Sequence, residues 1–164
     1  MLLSSNIIIS NYLHQIEEHI SGGSWQGESF RDKLKEINEA DFFKQPMEGM
    51  HSIGEIIWHC IYWKTVLIER FRGNEKYRDE TVNAMNFRKR NDLVKEGMQH
   101  LVNEFYACTD EIMQFLKTKD DQFLMEKNNQ GISMDYYVEG IVQHDIYHLG
   151  QIGLIQKMIS LQNS

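Results

Sequence analysis

Apolar residues in this chain recur at steps of three and four over long stretches, which is the period of a helix face and not of a strand. Ile9, Leu13, Ile16 and Ile20 define a first predicted helix. Gly22 and Gly23 stop it, because glycine accepts the left-handed geometry of a helix C-terminus. Ser52 followed at the third position by Glu55 is a capping-box signature and predicts a second helix running to about Phe71 and halted near Gly73. Its apolar positions Ile53, Ile56, Ile57, Cys60, Trp63, Leu67 and Phe71 span too wide an arc for a surface helix, so two flanks need cover. A third helix carries the clearest seam, with Val94, Met98, Leu101, Phe105, Cys108, Ile112 and Phe115 alternating steps of four and three. The fourth starts at Ser133, where Ile132 and Tyr137 stand in the positions of a hydrophobic staple, and continues to about Ser160, roughly 40 Å at ~1.5 Å per residue.

Between Ser24 and Met50 the pattern breaks. Phe30, Leu34 and Ile37 allow one short amphipathic helix across the bundle, and the rest reads as a long, partly ordered connection. One proline, Pro46, and few turn clusters leave little room for strands, so the class is all-α. Four long apolar stripes make a four-helix bundle the economical architecture. The connection from Gly73 to about Phe87 can extend to ~45 Å, enough to cross the bundle and let the third helix run parallel to the second. A length of 164 residues fits a single domain, 1–164, without internal repeats.

Charge narrows the partners. A net charge of −7 repels nucleic acid and anionic membrane, and the longest basic run, Arg88, Lys89 and Arg90, reads as a solvated helix start. No apolar stretch reaches eighteen residues and MLLSSNIIIS lacks the basic lead of a secretory signal, so a cytoplasmic protein is expected. Cys60 and Cys108 have no CxxC partner and read as small core residues, neither disulfide nor zinc ligands.

The fourth helix places two polar rings where isoleucine is expected. Its seam runs Tyr137, Ile141, His144, His148, Ile152, Ile155 and Ile159, and the two histidines stack one turn apart on one side, able to share a metal ion. Chance placement of seven histidines would give roughly 0.3 such pairs, so the pair alone is weak. His59 adds to it, lying on the second-helix stripe Ile56, His59, Trp63, Val66. Burying one imidazole costs a few kcal/mol unless both nitrogens find partners, and three together are better explained by a cation. His51 and His100 read as surface or capping residues, and His14 and His19 as lying on or near the polar flank of the first helix.

The stretch His51-Ser52-Ile53-Gly54-Glu55-Ile56-Ile57-Trp58-His59, with Trp63, Gly73 and Trp25, and the stretch His144-Asp145-Ile146-Tyr147-His148-Leu149-Gly150-Gln151-Ile152 resemble the signatures of the DinB-like family, which includes the YfiT-like proteins. The resemblance covers nearly the whole chain. It implies a four-helix bundle with an up-down-down-up path and a divalent metal held by His59, His144 and His148. It further implies chemistry like that of relatives that are thiol-dependent transferases or isomerases.

Three imidazoles suit zinc, nickel, iron or manganese and leave at least one coordination position for water or a substrate thiolate. Two classes of function stay open. One is a metal-dependent enzyme acting on a small-molecule thiol or electrophile, an S-transferase or a hydrolase. The other is a metal-binding stress or interaction module without turnover. Glu55 reads as a cap, Tyr147 as a core tyrosine, Gln151 either as a support for a ligand or as a hydrogen-bond partner of a neighbouring helix, and Asp145 as pointing away from the metal. The wide apolar face of the second helix predicts a homodimer.

Overall fold

Caps legible in the sequence hold the ends of the long helices. The computed structural model describes residues 6–163. Among them the chain is all-helical, with α1 (Ile7–Ser21), α2 (Phe30–Lys35), α3 (Glu39–Phe42), α4 (Ile53–Phe71), α5 (Tyr77–Met85), α6 (Arg90–Glu96), α7 (Met98–Lys117), α8 (Asp121–Met125) and α9 (Met134–Gln162). The reading of the first ten residues as free of a secretory signal, and the two ends of the 1–164 domain, fall partly outside the described residues. At the start of α4 the Ser52 hydroxyl accepts from the Glu55 N–H while the Glu55 carboxylate accepts from the Ser52 N–H at 2.8 Å, so the predicted capping box forms. Gly22 ends α1 at φ 119°.

Several expectations need correction. The predicted third helix is two, because Gly97 at φ 87° breaks it and Glu39 accepts from the freed Met98 N–H at 3.0 Å. Val94 accordingly lies on α6, 47% exposed. Along α7 the buried positions are Leu101, Phe105, Thr109, Ile112 and Leu116, one residue round from the expected Cys108 and Phe115. A straight helix at 3.6 residues per turn drifts off a 3.5-residue seam in this way. The stretch from Ser24 to Met50 is more ordered than a loose connection. α2 is held by a Ser29–Asp32 capping box and buries Phe30 and Leu34, while α3 buries Phe42. The Phe42 and Phe43 rings, edge to face at 4.9 Å, press on Gly54 of α4, where only a hydrogen fits.

α4 packs against α7 and α9, and α1 against α9 and α7. Phe71 stacks on Phe115 at 4.2 Å and Thr65 reaches Cys108, so α4 and α7 run the same way. Arg70 lies over Tyr137, Trp63 meets His144 and His59 meets His148, so α4 and α9 run in opposite senses. Tyr12 bonds Asp135 and His19 bonds Asp145, which aligns α1 with α9.

The Gly73–Phe87 connection is a helix laid back along α4 and not an extended strap. The Tyr62 hydroxyl contacts Thr81 at 3.2 Å, and the Trp58 indole donates to the Met85 carbonyl at 2.7 Å. Helix α5 thereby covers the spare flank of α4, so the exposed apolar face that suggested a homodimer is buried by the chain itself. The basic run is a helix start as expected, but Arg88 is half-buried, paired with Glu96 and packed over Trp58 at 4.4 Å. Among the described residues no helix is long and apolar enough to cross a membrane.

Candidate metal centre

His59 sits in the second turn of α4, and His144 and His148 lie one turn apart near the middle of α9. The antiparallel register of these helices brings the three rings together. The His144 Nε2 is 3.0 Å from the His59 Nε2 and 3.1 Å from the His148 Nε2. One ligand atom from each lies within 4.8 Å of the other two. Nitrogens bound ~2.05 Å from a tetrahedral zinc lie ~3.3 Å apart, so the spacing fits a shared cation.

Proton placement supports the same fit. The His59 Nδ1 faces the Asn86 carbonyl at 3.2 Å, which can only accept, so Nδ1 carries the hydrogen and Nε2 is a lone pair. The Gln151 amide donates to the Tyr147 hydroxyl and turns its oxygen to the His148 Nδ1 at 2.7 Å, so that ring too presents a bare Nε2. The His144 Nδ1 is buried without a hydrogen-bond partner, 3.9 Å from an equally unpartnered Asp145 carboxylate oxygen. A hydrogen on Nδ1 is the arrangement that carboxylate favours, and it leaves a third lone pair at the meeting point. Three mutually repelling lone pairs, two of them with a hydrogen-bonded Nδ1–H behind, could hold a cation. Burial, and then the neighbouring His144 ring, push both His59 and His148 down to about 4, so both are neutral donors at pH 7.

Behind His144 lies a buried polar cluster that the sequence reading missed. Asp145 is 1% exposed and its second oxygen accepts from Lys64, 2% exposed, and meets His19, 1% exposed, at 3.2 Å. His19 is therefore core, not on the polar flank of α1, and Asp145 faces the back of His144. Burial alone would raise the Asp145 carboxyl, but the Lys64 ammonium holds it well below the usual carboxylate range. Periodicity carried the signal, since Ile57, Ile61, Lys64, Ile68 and Val138, Val142, Asp145, Leu149 are both core stripes with one charge each. Cys60, His144 and Asp145 also cluster, yet the ammonium on Asp145 disfavours a cation there, and burial pushes the Cys60 thiol up.

Among the other candidates, Glu55 is a cap as expected and its free oxygen faces His51 at 3.4 Å. His51 stacks on Phe87 at 4.1 Å, and Phe87 stacks on His59 at 4.3 Å, so His51 is one ring removed from the centre. Tyr147 is 63% exposed and not core, although its ring edges His148. Gln151 has the supporting place assigned to it. His14 and His100 are exposed beside Glu18 and Glu104. Trp25, part of the family resemblance, is 99% exposed and takes no part in the site.

Neither the curated proteins nor the solved structures contain a match to this chain. The family model of the DinB superfamily does match, over residues 24–152, a span that holds most of the chain and all three histidines. With that match, the chain belongs to the DinB superfamily.

Proposed function

We propose that His59, His144 and His148 hold one divalent metal ion and that the protein is a metal-dependent enzyme whose nucleophile comes from outside, a low-molecular-weight thiol or water. The reaction class is S-transfer or hydrolysis. The carrying observation is the meeting of three imidazole nitrogens whose hydrogens are directed elsewhere, to Asn86, to Gln151 and toward Asp145. A bound metal supplies a Lewis acid that favours thiolate or hydroxide at neutral pH.

The chain's own residues orient and shield. Asn86 and Gln151 hold two rings in one tautomer, Phe87 covers the face of His59, and Trp63, fixed by its indole bond to Asn86 at 3.0 Å, stands beside His144. Neither cysteine is activated, since burial raises both thiols. The matched directions of α4 with α7 and of α1 with α9 support reading the four long helices as the up-down-down-up bundle of the family.

The test is metal analysis of protein purified without added metal, followed by variants. His59→Ala, His144→Ala and His148→Ala are each expected to abolish stoichiometric binding, while His51→Ala and His100→Ala retain it. Full metal content in a His144→Ala, His148→Ala double variant would overturn the site. Screening thiol conjugation and ester or amide hydrolysis with zinc, nickel, iron and manganese forms tests the activity. Turnover with none of them would leave a metal-binding module.

A further inference from the structure

A cleft of about 850 Å³ opens between α4 and α9. One end is made by Arg70 lying over the Tyr137 ring, with the guanidinium 4.1 Å from the ring centre. Trp63 stands seven residues back along α4 and marks the other end, ~10 Å away. The wall between them includes Val66, Leu67 and Ile141.

Both members of the Arg70 end have hydrogen-bond donors to spare. Glu69 and Glu111 are taken by Arg72 and Asp79 by Arg78, whereas Arg70 makes no ion pair among the described residues. Stacking on an aromatic face covers the flat of the half-buried guanidinium and leaves its N–H edge for an anion. The Tyr137 hydrogen is placed by elimination. The Asn128 side-chain oxygen accepts from the Gln130 and Ile132 N–H groups at 2.9 and 3.0 Å, which turns the Asn128 amide nitrogen to the Tyr137 hydroxyl at 2.8 Å. The hydroxyl accepts in that bond, so its own hydrogen is left without an acceptor among the described residues. A guanidinium edge and an unspent O–H on the same ring match the two oxygens of one carboxylate. The cleft also limits the charge of its occupant. Glu139 and Glu75 line it and form no ion pair among the described residues, so a second negative charge on the ligand would meet them.

We propose that the cleft binds an elongated monocarboxylate with an apolar body. The carboxylate accepts from the Arg70 guanidinium and the Tyr137 hydroxyl, and the body lies along Val66, Leu67 and Ile141 toward Trp63. Binding forms and breaks no covalent bond. It uses none of the three histidines, so it stands apart from the metal reading above.

The experiment is isothermal titration calorimetry of the full chain in chelator. The probes are octanoate, butyrate, octanol, octylamine and octyl phosphate. Octanoate is expected to bind on the order of tenfold or more tighter than each of the others, butyrate losing the apolar body and the rest losing the single planar charge. Arg70→Met is expected to erase the advantage of octanoate over octanol, and Arg70→Lys to keep only part of it. Tyr137→Phe retains the ring under the guanidinium and is expected to weaken octanoate about fivefold while leaving octanol unchanged. Octanol or octylamine matching octanoate, octyl phosphate binding as tightly, or undiminished octanoate binding in Arg70→Met would overturn the proposal. Octanoate that binds only after metal is restored would place the carboxylate on the metal and would also overturn it. The wild-type comparison decides the matter even if an Arg70 variant does not fold.

Discussion

Replacing Asp145 by Asn changes one atom's chemistry in the middle of the core and is expected to be among the most damaging single substitutions in this chain. Lys64 and Asp145 are 2% and 1% exposed, and the carboxylate is the partner the Lys64 ammonium bonds. Removing one member of a buried ion pair costs about 3–5 kcal/mol, because the other charge stays desolvated and unpaired. Against a domain stability of about 5–15 kcal/mol, that is a large share of the total. Lys64→Met should cost a similar amount, since it leaves the carboxylate with His19 alone. The double variant removes both charges and is expected to recover most of the loss, giving a coupling of several kcal/mol. Urea unfolding of the metal-free protein, in chelator and followed by far-ultraviolet circular dichroism, measures all four corners of the cycle. The pH dependence has a definite sign. Because the folded carboxyl lies below its unfolded value of ~3.9, its contribution is complete above that pH and is lost as pH falls further, so wild type and Asp145→Asn should converge in acid. Single losses under about 1 kcal/mol that simply add would refute the account of this cluster.

Several smaller effects follow from particular contacts. Gly54→Ala would set a Cβ 2.7 Å from the Phe43 ring and 2.9 Å from the Phe42 ring, and is expected to cost about 1–3 kcal/mol in a thermal melt. Ser52→Ala removes the α4 cap and should cost about 1 kcal/mol in the same assay while leaving metal stoichiometry intact. His59 and His148 are depressed to about 4, so the unfolded chain takes up protons first and metal-free stability should decline from about pH 6.5 to 4; urea midpoints that stay flat over that range would contradict their burial as neutral rings. Gln151→Ala frees the His148 ring and is expected to weaken metal affinity by about 10-fold in a chelator competition, a loss absent from Gln143→Ala.

What could be read from the sequence followed from local rules. The periodicity of α1, α4 and α9, the Ser52–Glu55 box, the Gly22 stop and the three histidines on apolar stripes all depend on residues within a few positions of one another, and all stand in the structure. What failed depended on distant partners. His19 falls at the edge of the polar flank of α1 by its place in the sequence, and only the approach of α9 shows that its ring meets Asp145. Asp145 was placed correctly relative to His144, about 100° round the helix, yet that direction is the core and not solvent, since α1 and α4 close over it. Gly97 divides α6 from α7 although apolar steps of four and three continue across it, so a local signal was also missed. The wide apolar face of α4 is legible in its own residues, whereas nothing local says that residues 77–85 fold back along it.

That return of α5 is also what completes the site. A short loop joining α4 to a following antiparallel helix would leave the His59 Nδ1 without an acceptor and the outer face of its ring open to water. The backward path delivers the Asn86 carbonyl to Nδ1, the Asn86 amide oxygen to the Trp63 indole and the Phe87 ring to the imidazole face. It also carries the Met85 carbonyl to the Trp58 indole, one residue away from His59. The long crossover, which on topology alone serves only to let α7 run beside α4, therefore supplies hydrogen-bonded support to His59, as Gln151 does to His148 and as the Asp145 carboxylate faces His144. His59 is braced from the α5 end and the other two imidazoles from α9 itself, so the spacing of the three nitrogens depends on how α4, α5 and α9 pack together.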